Sequence, residues 1–238
     1  MPPIMVIAAA GLAVAVGGLL QSGLGLGLGL VGAPMVTLLA PSLMPGAMLI
    51  AGASLPLLML VREARHTDWH GVSWALAGRV AGTVGGVWLV AVISVRALGL
   101  VVGTVVLAVV VASWLNAAVP KNRWTLLTAG VVSGTTATAT SIGGPPIALI
   151  YQRESGPQVR ATLSAFFCVG NVLALTGLAA TGHLPARDID AGLLFIGCAL
   201  AGFAAATRLR GFLDDGRTRA AVLVVAAASA VVLIIHGA

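Results

Sequence analysis

Residues 133–152 read SGTTATATSIGGPPIALIYQ, and this stretch decides how the rest of the chain is organised. It is apolar enough to lie at membrane depth, yet it carries many hydroxyl groups and is interrupted by GGPP at residues 143–146. A helix that simply crosses a membrane does not need such a break. A binding site built from broken helices does, because the break frees backbone N–H and C=O groups inside the membrane.

A plainer version of this stretch lies 112 residues earlier, where residues 21–39 read QSGLGLGLGLVGAPMVTLL. The two copies predict two related repeats, residues 1–119 and residues 124–238, within a single membrane domain. The aligned pairs are Gly32 with Gly144, Pro34 with Pro146, and Gln21 with Ser133.

The composition indicates an integral membrane protein. Of the 238 residues, 59% are hydrophobic and only 8% are charged, whereas soluble domains carry about 25% charged residues. A helix needs roughly 20 apolar residues to cross the bilayer, so we expect an all-α polytopic protein without a soluble domain. The net charge of +6 would suggest nucleic acid in a soluble protein. Here the cations lie in short predicted loops, where they determine how the protein is oriented in the membrane. We therefore expect no nucleic-acid partner.

The first residues of the chain do not have the pattern of a signal peptide, and its cysteines and histidines do not have the pattern of a metal site. Residues 1–20 contain no Lys or Arg, and we interpret them as a retained first helix. Cys168 and Cys198 each lie inside an apolar run, which is typical of small buried side chains. His66 and His70 have a spacing that can hold a metal, but no third ligand is near them in the sequence. We therefore predict no metal and no cofactor.

The positions of Lys and Arg distinguish two layouts of the chain. If each broken stretch is a hairpin, each half crosses five times, and ten cations fall on one side against two on the other. If each is one continuous crossing, the eight-span layout divides them seven against five. The positive-inside rule favours five plus five, with both termini outside. The ten cations are Arg62, Arg65, Lys121, Arg123, Arg153, Arg160, Arg208, Arg210, Arg217 and Arg219, against Arg96 and Arg187.

A repeat of five segments is odd, so the second half enters the membrane from the opposite side. The predicted fold is therefore two inverted repeats, with broken or re-entrant helix hairpins meeting near the midplane. A helix that starts at such a break presents unpaired N–H groups and the positive end of its dipole. Two such ends would hold an anion without a formal charge.

The candidate substrate-binding residues at the breaks are glycines, prolines and polar side chains. The alternative is that the glycines are close-packing contacts and that the hydroxyls bond back to their own helix. The candidates are Gln21, Ser22, Gly29, Gly32, Pro34, Ser133, Thr136, Thr140, Ser141, Gly143, Gly144, Pro145 and Pro146.

Two further candidates, Arg79 and Asn171, lie inside predicted spans. Arg79 falls roughly 10 Å into its segment at 1.5 Å per residue, and a charge inside a membrane is costly and usually functional. Either it pairs with an anionic substrate, or it extends to the interface or bonds to freed carbonyls. Asn171 either lines the path or joins two helices. No Asp or Glu falls in the middle of a predicted span, which favours an anionic substrate.

At these residues the chain resembles the sulfite exporter TauE/SafE family, also called the four-toluene sulfonate uptake permeases. The copy at residues 133–152 and the sequence RATLSAFF at residues 160–167 match closely. The copy GLGLGLGLVGAP at residues 23–34 has fewer consecutive glycines than many members. The resemblance covers essentially the whole chain. It implies a permease of the bacterial inner membrane for sulfite, sulfonates or related small sulfur-containing anions.

We therefore expect a secondary transporter that moves a small anion by alternating access, with lipid around it and without catalytic residues; homodimerisation stays open. An anion channel and a membrane subunit without transport activity of its own are the alternatives. An intramembrane enzyme would need a nucleophile with a base, or a metal set, at depth. All four histidines fall at predicted span ends or in loops, which argues against such an enzyme.

Overall fold

The chain is described by a computed structural model that leaves out a few short stretches and much of the C-terminal region. The described residues are helical and contain no strand, which confirms the all-α prediction. From the sequence we predict a loop over residues 208–219 and a tenth segment over residues 220–235. Of that loop only Arg208 is described, and the tenth segment is described in part. The described ranges are residues 4–24, 28–115, 119–208, 224, 227–232 and 234–235.

Nine α-helices account for most of the described residues up to 208. A π-helical turn, Leu28–Gly32, leads directly into the second of them. The helices are α1 Ile4–Leu24, α2 Ala33–Leu39, α3 Gly46–Glu63, α4 Trp69–Val92, α5 Val95–Leu115, α6 Arg123–Thr140, α7 Gly144–Tyr151, α8 Gly156–Ala180 and α9 Ala186–Arg208.

Five of these helices, α1, α3, α4, α8 and α9, are long and apolar enough to cross a membrane. The segment Leu28–Leu39 is apolar but too short to cross. Helix α7 has only eight residues. The two predicted broken stretches therefore contain the short helices, while the long helices form the scaffold around them.

Helices α4 and α6 are held at close distance by glycines. A Cβ atom on Gly78 would overlap the backbone of Leu127, and one on Gly82 would overlap the backbone of Val131. A Cβ atom on Gly134 of α6 would likewise overlap the backbone of α4. Because the facing pairs keep the same offset along both helices, α4 and α6 run in the same direction. Small residues that let backbones approach are the usual basis of helix packing in membranes.

Helices α1 and α9 repeat this arrangement. Gly202 lies against the backbone of Ala15 and Leu19, and Gly11 lies against Cys198. These pairs advance together along both helices, so α1 and α9 are also parallel. The first helix of each predicted half thus packs along the fourth helix of the other half.

Helices α6 and α7 form a hairpin. Lys121 precedes α6 and Glu154 follows α7, and their side chains form an ion pair of 3.1 Å between Nζ and Oε1. Both ends of the helical pair therefore lie at the same end of the molecule. A single continuous crossing, as in the eight-span layout, requires these ends to lie on opposite sides.

The same end of the molecule collects the described loops before α4 and α8, which carry further cations of the predicted basic side. Lys121 also pairs with Asp68, 2.9 Å away, at the start of α4. Arg160 of α8 forms two hydrogen bonds, of 2.9 and 3.2 Å, with the carboxylate of Glu63 at the end of α3. Because these ion pairs join α3, α4, α6, α7 and α8, they fix one end of the helical bundle.

From its sequence we predict the stretch 183–190 to be a loop, but helix α9 begins inside it, at Ala186. That boundary is wrong, because Pro185 precedes the first turn and Asp188 lies within it, and both favour a helix N-terminus. Asp188 is buried beside Gly46, the first residue of α3. The starts of α3 and α9 therefore meet at the end of the molecule opposite the ion pairs.

Asp68 is the central residue of the ion-pair end. Its carboxylate accepts hydrogen bonds from the Gly71 N–H at 2.9 Å and the Tyr151 hydroxyl at 2.8 Å, in addition to pairing with Lys121. Burial by itself raises the pKa of Asp68, but these bonds outweigh it and leave the pKa below its ordinary value. Burial likewise opposes the charge on Lys121, yet Asp68 and Glu154 raise its pKa overall.

Replacing Asp68 with Asn should lower the stability of the purified protein at pH 7 by about 1 kcal/mol. The asparagine loses the charge-assisted bonds of the part-buried carboxylate, but its amide oxygen can still cap the N-terminus of α4. The native Asp68 contribution is fully present above the unfolded pKa of about 3.9 and is lost as the pH falls through the lower folded pKa. Thermal unfolding in detergent between pH 3 and 7 measures both effects. Asp190→Asn, at an exposed position, is the control. Equal unfolding profiles for both variants would contradict a role for Asp68.

Candidate functional site

Residues from both predicted breaks line one cavity. The first break contributes Gln21 and Gly29, and the second contributes Ser141, Gly143, Gly144 and Pro145, with Asn171 of α8 beside them. Helix α3 forms the remaining wall. The lining residues that the sequence analysis did not select are Leu28, Leu30, Met48, Leu49, Gly52, Leu55, Pro56, Ala137, Ile142 and Phe167.

The two breaks touch each other beside this cavity. A Cβ atom on Gly29 would lie 3.3 Å from the Ser141 carbonyl oxygen and 3.8 Å from Cα of Ile142. Gln21 stabilises the first break, because its Oε1 atom accepts a hydrogen bond of 3.1 Å from the N–H of Leu28. The two glycine-rich stretches, far apart in sequence, thus line one cavity.

Helix α6 ends at the cavity through a change in backbone direction at Ser141. Ser141 has φ 61° and ψ 15°, in the left-handed region, and its N–H closes the last helical turn on the Ala137 carbonyl at 2.8 Å. Its hydroxyl donates to the Pro45 carbonyl at 3.1 Å, which ties the break to the start of α3. Left-handed backbone at a residue other than glycine is uncommon and often marks functional sites.

The cavity is small, and uncharged polar groups share its lining with apolar side chains. The space open to the centres of water-sized spheres is about 60 Å³, whereas one water needs about 10–15 Å³ of such space. The cavity therefore has room for a few waters or for a ligand of a few heavy atoms. None of its described lining residues carries a charge. Gln21 and Asn171 supply carboxamides, and the GGPP break supplies backbone N–H groups.

Arg79 lies behind the break and does not line the cavity. Its side chain is completely buried among α4, α6 and α8, with its guanidinium 4.6 Å from the ring centre of Phe166. Its Nη1 atom donates to the Ser133 hydroxyl oxygen at 3.4 Å. The Ser133 hydroxyl in turn donates to the carbonyl oxygen of Gly143, which is a lining residue. Ser133 is likewise fully buried outside the cavity.

Comparison with known proteins identifies the family of this chain. The family model described as Sulfite exporter TauE/SafE matches residues 9–233, which is nearly the whole sequence. The chain belongs to the TauE/SafE family. It is thus a multi-pass membrane protein of a transporter family. No curated protein and no solved structure matches it.

The wall that α3 contributes to this TauE/SafE cavity does carry a signal in the sequence. Pro56 lies inside α3, four residues after Gly52. Because proline has no N–H, Pro56 cannot donate the usual i→i−4 hydrogen bond to the Gly52 carbonyl. A glycine and a proline at this spacing within an apolar span mark a helix with a locally open backbone, and both residues line the cavity.

Gly32 and Pro34, which the sequence alignment pairs with the GGPP break, do not line the TauE/SafE cavity. Helical backbone is continuous from Leu28 to Leu39, and Gly32 itself has helical dihedral angles of −64° and −48°. Both residues are buried, with Gly32 against Met48. The two copies therefore differ locally, because the first continues as a π-helical turn where the second is unwound.

The threonines proposed as ligand donors bond to their own helix. Thr136 donates to the Val132 carbonyl at 2.9 Å, and Thr140 donates to the Thr136 carbonyl at 2.7 Å. This is the alternative given for the hydroxyls in the sequence analysis. Pro146 does not line the cavity, and the side chain of Ser22 lies outside what the structure describes.

His66, just before α4, and His70, in the first turn of α4, are the candidate metal-binding pair. His70 accepts a hydrogen bond of 3.3 Å from the indole N–H of Trp74 through its Nε2 atom. Among the described residues, no group of three or more His, Cys, Asp or Glu side chains is suitably placed to hold a metal ion.

Proposed function

We propose that this protein is a secondary transporter that carries a small sulfur-containing anion, such as sulfite or an organosulfonate, across the bacterial inner membrane. The observation that carries the proposal is the cavity in which the two glycine-rich breaks meet. Membership of a transporter family supports the transport activity, and the size of the cavity supports a ligand of a few heavy atoms.

The chemistry of the cavity favours an anion. Gly144 is the first residue of α7, so its N–H has no acceptor within that helix and lies at the positive end of the helix dipole. The carboxamide groups of Gln21 and Asn171 add N–H donors that are independent of pH. Neutral donors of this kind bind sulfur oxyanions without holding them as strongly as a salt bridge would, which suits a carrier that must release its substrate.

Alternating access would follow from an inverted repeat, which we propose on the basis of the helix packing. Helix α4 lies along α6 and α1 lies along α9, so each half packs its fourth segment against the first segment of the other half. Exchange of the two halves leaves this pattern unchanged, as a two-fold axis requires. Rocking of one half against the other would then open the cavity first to one side and then to the other.

The end with the ion pairs should face the cytoplasm, with both termini in the periplasm. In a chain whose two cysteines are replaced by alanine, single cysteines at the exposed positions 65 and 181 test this orientation. A membrane-impermeant maleimide should label Arg65→Cys only in inverted vesicles and Thr181→Cys only in intact spheroplasts. Labelling of both variants from the same side would contradict the hairpin layout.

Counterflow tests transport and separates a carrier from a channel. The purified full chain is reconstituted in liposomes loaded with unlabelled sulfite, and the uptake of radiolabelled sulfite is followed against empty vesicles. A carrier should accumulate label faster in the loaded vesicles and should saturate. Uptake that does not respond to internal sulfite would favour the channel alternative. No uptake of sulfite, methanesulfonate or toluenesulfonate would contradict the proposed function.

A further inference from the structure

The buried guanidinium of Arg79 is connected to the cavity by a chain of hydrogen bonds. Nη1 of Arg79 donates to Oγ of Ser133, and the Ser133 O–H donates to the carbonyl oxygen of Gly143. The peptide that carries this carbonyl joins Gly143 to Gly144. Both glycines line the cavity, whereas Arg79 and Ser133 do not.

The geometry of a trans peptide determines where this chain ends. The C=O and N–H groups of one trans peptide point in opposite directions. Because the Gly143 carbonyl points back toward Ser133, the Gly144 N–H of the same peptide points away from Ser133. As the first residue of α7, Gly144 has no acceptor for this N–H within its helix.

Arg79 itself is bonded far less completely than a buried cation normally is. No described residue accepts a hydrogen bond from its Nε or Nη2 atoms, although both are shielded from solvent. Its side chain is completely buried, and a Cβ atom on Gly170 would overlap its guanidinium. An isolated buried charge is costly, and the ring of Phe166 compensates for only part of that cost. The protein therefore retains a destabilising cation directly behind the break.

We propose that Arg79 and Ser133 are positioning residues that orient and polarise the Gly143–Gly144 peptide, so that the Gly144 N–H binds the transported anion. Every donor in the chain points the same way, from Arg79 through Ser133 and the peptide to the anion. Such aligned bonds strengthen one another. The cavity thereby gains the influence of a positive charge without a cationic side chain entering it. This inference rests on the proposed function, because it assigns the anion to the same cavity.

The test compares anion affinity with stability in the purified full chain. The variants are Arg79→Met, Arg79→Lys, Ser133→Ala and the double variant Arg79→Met/Ser133→Ala. The probes are sulfite and methanesulfonate, measured by calorimetry. Thr128→Val, which removes a hydroxyl on α6 that bonds only to its own helix, is the matched control.

Arg79→Met and Ser133→Ala should each weaken probe binding about ten- to a hundredfold, as expected for the loss of a charge-assisted bond. The double variant should bind about as weakly as the weaker single variant, because both changes break one chain. Arg79→Lys should keep more affinity than Arg79→Met. Arg79→Met should also melt at the same temperature as the native chain or higher, since it removes an unpaired buried charge.

Two results would overturn the inference, and they differ from the failure of the proposed function. Native affinity in Arg79→Met or Ser133→Ala would exclude the chain of bonds. Additive losses in the double variant, together with lower melting temperatures for both single variants, would indicate purely structural roles. If the native chain binds neither probe, the proposed function fails and this inference fails with it.

Discussion

Gly52→Leu should reduce anion transport at least tenfold while leaving the protein folded in the membrane. Gly52 lies on the α3 wall, and its side-chain direction points into a cavity with only about 60 Å³ open to the centres of water-sized spheres. A Cβ atom there would lie 3.5 Å from Nδ2 of Asn171 and 3.8 Å from Cδ2 of Leu28. The remaining carbons of a leucine would occupy the space proposed for the anion. Uptake of labelled sulfite into proteoliposomes measures the effect.

Gly52→Ala is the matched control for this prediction. Its single methyl group makes ordinary van der Waals contacts at the distances given above. Alanine is also favoured over glycine inside a helix by roughly 0.5–1 kcal/mol. This variant should keep most of the transport activity and unfold at the same or a higher temperature. If the leucine variant transports as well as the alanine variant, the anion does not pass through this cavity.

Gly82→Leu should destabilise the whole protein. Gly82 faces the backbone of Val131 at one of the close contacts between α4 and α6, so even a Cβ atom would overlap a backbone carbonyl. The helices must separate or tilt, at a cost of about 3 kcal/mol, the upper end of the usual range for overpacking. For a protein of this size that corresponds to a fall of about 10 °C in the melting temperature. The measurements are thermal unfolding and the yield of monodisperse protein in detergent.

Gly197→Leu provides the comparison for this effect. Gly197 lies on α9 at an exposed position, and a Cβ atom there would meet no other atom within 4 Å. The melting temperature of this variant should match that of the native chain within about 2 °C. A similar loss of stability in both variants would show that any glycine-to-leucine change in these helices is destabilising, whether or not it lies at the α4–α6 contact.

The sequence predicts the fold of this protein well, because its main signals are local. Apolar length determines which segments cross the membrane, and the order of glycine and proline at residues 143–146 determines where α6 ends and α7 begins. The uneven distribution of cations favoured hairpins over continuous crossings. The ion pair between Lys121 and Glu154 brings the ends of the second hairpin together, in agreement with that reasoning.

The candidate site could be predicted only in part, because a cavity depends on contacts between distant segments. The glycine-rich breaks and Asn171 were selected from their own sequence context, and the structure brings them together. The α3 wall was not selected, since apolar residues such as Met48 and Leu55 look the same whether they face lipid or a cavity. Arg79 was selected for its charge, but only the packing of α4 against α6 places it behind the break.

Binding of anions to the purified chain tests the central claim most directly. Sulfite, sulfate, thiosulfate, methanesulfonate, taurine and toluenesulfonate are added to the native protein, to Gly52→Ala and to Gly52→Leu, with chloride as the control. A ligand that binds only the folded state raises the melting temperature. We expect at least one sulfur-containing anion to stabilise the native chain and Gly52→Ala but not Gly52→Leu. Equal stabilisation of all three proteins, or stabilisation by none of these anions, would contradict an anion site between the two breaks.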